Sequence, residues 1–206
     1  MTTLTKKLFG FAAAATAAAA MLGFAGPKDK TVKIDAEAPN FTLTDLKGTS
    51  HDLTDFRGKT VVLEWFNPEC PFVVKHYRDD TPTMIVLATE FAADDVVWIR
   101  INSGAEGKQG AGLDKNRDYQ TKWNITGPIL LDESGDVGRM YDATNTPQMF
   151  VIDTEGVVRY MGAIDDDRGT RKAGETNYVR AALQQVLAGE TVSTKTTKPY
   201  GCSVKY

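Results

Sequence analysis

The sequence predicts an α/β domain: a mixed central β-sheet flanked by helices, with an N-terminal β-hairpin and a C-terminal tail. Three observations carry this. Thr60 to Phe66 (TVVLEWF) and Val96 to Ile101 (VVWIRI) are continuous apolar runs of the fully buried kind. A long helical pattern separates them. Later, Gln148 to Asp153 and Val157 to Met161 flank Thr154-Glu155-Gly156 as strand, turn and strand, and an amphipathic helix follows over Asn177 to Leu187. Strands alternating with helices, then a closing hairpin and helix, describe a sheet covered by helices.

The elements run in order as follows. Residues 26–34 are polar and irregular, a linker. Short alternating runs from Ala38 to Phe56, broken at Lys47-Gly48-Thr49, read as a hairpin. Arg57-Gly58-Lys59 turns the chain into the first buried strand. The helical pattern after Cys70-Pro71 continues to about Phe91, with Pro82 marking a kink or restart. Gly104 to Gly112 is loop, Leu113 to Trp123 a short helix, Ile129 to Leu131 a third strand, and Asp136 to Tyr141 one or two helical turns. The domain is expected over 35–189. A tail over 190–206 shows no period until Val204.

Composition narrows the function. The 206 residues are 42% hydrophobic and 25% charged with a formal charge of −3, so nothing points to nucleic acid as a partner. Lys6 and Lys7 precede an uncharged, alanine-dominated stretch from Leu8 to Ala25 that ends in Gly23-Phe24-Ala25. That is the pattern of a signal peptide over residues 1–25, and it predicts an exported protein, periplasmic or secreted, with no membrane attachment after cleavage. The alternative is a retained anchor through residues 8–25, although that stretch is barely long enough to span. Export makes a disulfide permissible between the two cysteines, Cys70 and Cys202.

Three segments carry a resemblance to a known family. "VVLEWFNPECP" (61–71) is similar to the strand-to-active-site segment of thioredoxins, "NTPQMFVID" (145–153) to the cis-proline segment of that fold, and "KPYGCSVKY" (198–206) to the ending of exported peroxiredoxin-like redoxins. From Asp35 to Tyr206 the chain resembles a thioredoxin-like fold with AhpC/TSA-type additions. The resemblance implies a thiol-dependent enzyme with Cys70 as nucleophile at a helix N-terminus, where backbone N–H groups and the dipole favour thiolate. A proline following a short turn predicts exposure of that thiol. Glu64 would be a buried carboxylate behind the site that assists proton transfer. Asn67, Pro71, Thr146 and Pro147 would shape the substrate groove, with Thr146-Pro147 as the cis bond.

Departures from the family pattern sharpen the reading. Val73 stands where thioredoxins carry a second cysteine, so Cys202 on the tail is the remaining candidate to resolve a mixed disulfide. The same two cysteines could instead form a structural staple in a non-catalytic binding module. Asn67 replaces the hydroxyl residue that peroxiredoxins place three positions before the cysteine, and Pro147 takes the place of their arginine; losing both should slow peroxide reduction. Arg100 and Arg139 are the candidates to substitute. Expected partners are therefore a protein disulfide or a hydroperoxide as substrate and an exported thiol reductant. No organic cofactor and no metal are expected, since the sulfur carries the electrons and the histidines, His51 and His76, are few. His76 is expected nearly two turns beyond Cys70 on one helix, Asp165 to Asp167 in a solvated acidic loop, and the three tryptophans in the core.

Overall fold

The computed structural model describes Met1 and residues 31–206 of the chain. The signal-peptide segment and most of the linker therefore lie outside the described residues. A seven-stranded mixed sheet is built from β1 (Thr42–Asp45), β2 (Ser50–Asp52), β3 (Thr60–Trp65), β4 (Val96–Asn102), β5 (Ile129–Leu131), β7 (Gln148–Ile152) and β8 (Val158–Gly162), in the spatial order β2-β1-β5-β4-β3-β7-β8. A separate two-stranded pair joins β6 (Asn145–Thr146) to β9 (Cys202–Ser203). The helices are α1 (Pro71–Val74), α2 (Thr83–Glu90), α3 (Leu113–Lys122), α4 (Asp136–Met140) and α5 (Tyr178–Leu187).

β3 is an interior strand, parallel to β4 and antiparallel to β7. All six of its residues are buried, as its unbroken apolar run requires. Successive side chains point to opposite faces. Val61, Leu63 and Trp65 pack with Ile99, Ile101, Phe150 and Tyr141 on one face. Val62 and Phe66 pack on the other with Val73, Leu87, Met149, Val179 and Leu183. Each fully buried Leu, Ile or Val in these layers contributes about 1.5–3 kcal/mol. The N-terminal hairpin, the β7–β8 hairpin and α5, whose Asn177 side chain accepts the Arg180 N–H as an N-cap at 2.8 Å, form as expected.

The helix after Cys70 does not run through to Phe91. Pro71 starts α1, in keeping with proline's fit at the first helical position, but the helix ends at Val74. The hydroxyl of Thr81 donates to the Lys75 carbonyl at 2.5 Å, and the chain restarts as α2 with Pro82 at its N-cap. The reason is tertiary: Lys75 and His76, polar residues in an otherwise apolar pattern, turn inward to buried partners far along the chain.

The tail is part of the packed structure. Met161 N–H donates to the Lys195 carbonyl, Thr197 Oγ1 accepts the Ala163 N–H at 2.9 Å, and Val192 and Tyr200 are buried. At the other end, Val32 is buried and its N–H donates to the Met140 carbonyl.

Candidate active site

Cys70 is the N-cap residue of α1, at the end of the turn that follows β3. Its backbone carbonyl accepts the N–H groups of Val73 and Val74, and its thiol donates to the Thr146 carbonyl at 3.1 Å. The residue is completely buried, which corrects the exposure expected from the Pro71 turn. The helix it caps has only four residues, so little dipole is available to it. It belongs to the same buried cluster as Phe66, Val73 and Tyr200, and Cys202 packs against that cluster.

Cys202 comes to the site from the tail. β9 pairs antiparallel with β6 so that Cys202 lies opposite Thr146, the residue whose carbonyl Cys70 contacts. Both cysteines are free thiols. The Cys202 thiol is pushed up to about 12, by burial first and then by the hydrogen bond and charge of the Cys70 sulfur, against a small opposing pull from Lys205. The fold therefore brings together two thiols far apart in sequence.

The groove candidates sit around this pair. The Thr146–Pro147 peptide is cis, as the resemblance implies, and both residues are buried. Pro71 is exposed at the rim. Asn67 is committed to the loop itself: its Oδ1 accepts the Glu69 N–H at 2.9 Å and its Nδ2 donates to the Gln109 carbonyl at 3.1 Å. The Gly104–Gly112 loop is tied over this turn. Glu69 accepts the Gly110 N–H and the Lys115 ammonium, each at 2.8 Å.

Glu64 is fully buried on β3, in register with Arg100 on β4. Its carboxylate accepts the Tyr77 hydroxyl at 2.8 Å and the Trp98 indole N–H at 2.8 Å, and the Arg100 guanidinium lies 3.5 Å away. Burial pushes the Glu64 carboxyl above its usual range, although Arg100, Trp98 and Tyr77 all pull it down. Arg100 also donates to the Tyr77 hydroxyl at 2.6 Å. Arg139 donates to the Ser134 carbonyl and stacks 4.6 Å from the Tyr206 ring centre. Both arginines are thus spent elsewhere, and neither is bonded to Cys70.

Sequence reasoning missed a second buried cluster. Asp165 is buried, not solvated, and binds Lys75, His76 and Tyr200. His76 lies beyond the end of α1, not on a shared helix with Cys70. The available signal was a Lys-His pair inside an apolar pattern and an aromatic residue two positions before a cysteine.

A mixed sheet with flanking helices, a cis-proline segment and a cysteine at a helix start defines a thioredoxin-like α/β protein. The pattern of the AhpC/TSA family matches residues 34–161, and the chain belongs to that family. It is similar to the protein named "Thiol-disulfide oxidoreductase ResA" of Geobacillus kaustophilus, 30% identical over 128 residues that cover 62% of this chain and 68% of the relative. Among solved structures it is similar to the hypothetical protein SMc02350 of Sinorhizobium meliloti, with TM-score 0.77, 26% identity and 85% and 96% of the two chains covered. An uncharacterized conserved protein of Geobacillus kaustophilus gives TM-score 0.77 at 28% identity, covering 85% and 93%.

Proposed function

We propose that the protein is an exported thiol–disulfide oxidoreductase in which Cys70 attacks and Cys202 resolves. The observation that carries this is the pairing of β9 with β6, which sets Cys202 opposite the Thr146 carbonyl that Cys70 contacts. The Cys70 thiolate attacks a substrate disulfide, forming a mixed disulfide and releasing one substrate thiolate. The Cys202 sulfur then attacks the Cys70 sulfur and releases the second substrate thiolate. The substrate gains two electrons, and the two thiol protons go to its sulfurs. The protein is left with a Cys70–Cys202 bond that an exported thiol reductant reopens.

Burial, before any other cause, holds the Cys202 thiol up, and Cys70 adds to it. Once Cys70 is in a mixed disulfide that contribution is gone, and Cys202 ionises more readily when it is needed. Glu64, on β3, would take or give a proton. Pro71, Asn67, Thr146 and Pro147 would form the substrate edge, reached when the tail moves off. A peroxidase reading is supported less well, because Arg100 and Arg139 are engaged away from Cys70.

Equilibration in glutathione buffers, with thiol trapping and mass spectrometry, tests the reading. A Cys70–Cys202 bond with a potential between about −120 and −270 mV is expected. A potential below about −300 mV would make the bond a staple and sink the enzyme proposal. Export rests on residues 1–25; N-terminal sequencing of the protein from the cell envelope should begin after Ala25.

A further inference from the structure

Beneath the tail lies a buried charged cluster that the exchange chemistry above does not use. Lys75 and His76 follow α1 directly, and both side chains are fully buried. The Lys75 ammonium donates to the Asp167 carbonyl at 2.6 Å and lies 3.8 Å from the Asp165 carboxylate and 3.7 Å from that of Asp167. It also sits 4.8 Å from the centre of the Tyr200 ring, a cation–π contact. His76 Nε2 is 3.2 Å from the Tyr200 hydroxyl and 3.9 Å from Asp165, and that hydroxyl donates to Asp165. Burying such groups is costly unless they satisfy one another. What this cluster closes on is a single residue of the tail, two positions before Cys202.

The residue between them has its own constraint. Gly201 has φ +127°, and a Cβ there would lie 2.0 Å from the Thr146 carbonyl oxygen. Only glycine lets the tail backbone approach the cis-proline segment so closely. Anchor, close approach and thiol thus follow one another as Tyr200, Gly201 and Cys202. All three lie beyond residue 161, where the family match ends.

We infer that Tyr200, gripped by His76, Asp165 and Lys75, is a positioning residue that sets the register of the tail and so holds Cys202 at Cys70. The inference rests on the reading that Cys202 resolves Cys70. Its physical content is effective concentration: a tethered thiol fixed opposite its partner forms the bond far more readily than one on a loose tail.

The test is the potential of the Cys70–Cys202 couple in wild type, Tyr200→Phe, Gly201→Ala and Thr197→Val. Tyr200→Phe keeps the ring over Lys75 and removes the hydroxyl bonds; Gly201→Ala pushes the tail off Thr146. Both should lower the equilibrium constant for bond formation about tenfold, a shift of about 30 mV to less negative values. Thr197→Val breaks tail contacts to Tyr160 and Ala163 further from the thiols and should leave the potential at the wild-type value. Wild-type potentials in both Tyr200→Phe and Gly201→Ala would overturn the positioning role while leaving the resolving role intact. An equal shift in Thr197→Val would assign the effect to the tail at large and overturn it too. If wild type forms no Cys70–Cys202 bond, the resolving role itself falls.

Discussion

The two buried charged clusters of the described residues are built in opposite ways. Glu64, Arg100, Trp98 and Tyr77 come from two adjacent strands and the segment after α1, with Glu64 and Arg100 fixed opposite each other by strand register. Lys75, His76, Asp165, Asp167 and Tyr200 come from three segments far apart in the chain. The first cluster is bound into the sheet. The second is completed by Tyr200 of the tail, so part of its energy is tied to a segment that the proposed chemistry asks to move.

The largest effect should come from breaking the first cluster. Arg100→Met leaves Glu64 buried without its cation, which typically costs about 3–5 kcal/mol. Urea denaturation at pH 7 should show that loss, and the double variant Glu64→Leu with Arg100→Met should recover much of it. The deficit of the single variant should shrink at lower pH, because Glu64 can then be buried neutral. Equal losses in single and double variants would mean that side-chain packing, not an uncompensated charge, is at stake.

The clusters should also differ in the sign of their pH dependence. His76 is held at about 3, by burial first and then by the Lys75 charge, with Asp167 pulling the other way. Lys75, Asp165, Asp167 and Tyr200 are the charged and titratable groups facing it. Between about 3 and the ordinary histidine value near 6.5 the unfolded chain binds a proton that the folded chain does not. Stability therefore falls as pH drops through that window, by up to about 1.4 kcal/mol per pH unit. Glu64, raised instead of lowered, acts oppositely: its contribution is lost as pH rises above the unfolded value. Asp52, lowered to about 2 by its bonds from Thr54 and Thr42, titrates lower still. The difference between wild type and His76→Gln from pH 6.5 to 4.5 isolates the histidine, and parallel curves would refute the assignment.

The same contrast explains what was legible in the sequence. β3, β4, the β7–β8 hairpin and α5 announce themselves because their burial follows a local period, and Glu64 stands out as the one acid in an apolar strand. Cys70 and Cys202 were visible as chemistry, and the cis-proline and tail segments through their resemblance to redoxins. The short α1, the burial of Cys70 and the inward turn of Asp165 were not. Each depends on partners 76 or more residues away, and no window of sequence encodes which distant group will satisfy a cysteine, a lysine or a histidine.

An exposed pair supplies the smallest effect and the sharpest control. Lys115 on α3 and Glu69 in the turn before Cys70 lie 2.8 Å apart at 37% and 31% side-chain exposure. Lys115 first, and the Gly110 N–H with it, hold the Glu69 carboxyl below its usual range against a burial effect. Pairs this open to water contribute about 0–1 kcal/mol. Lys115→Met should therefore cost less than about 1 kcal/mol in the same urea titration, and less still at 1 M salt, where surface charges are screened. Glu69→Ala removes the acceptor for the Gly110 N–H as well, so it should loosen the Gly104–Gly112 loop. Iodoacetamide should then label Cys70 severalfold faster in a Cys202→Ser background. A loss in Lys115→Met as large as that of Arg100→Met would erase the distinction between buried and exposed charge. An unchanged labelling rate in Glu69→Ala would show instead that the tail, with Tyr200 in its socket, is what shuts Cys70 from solvent.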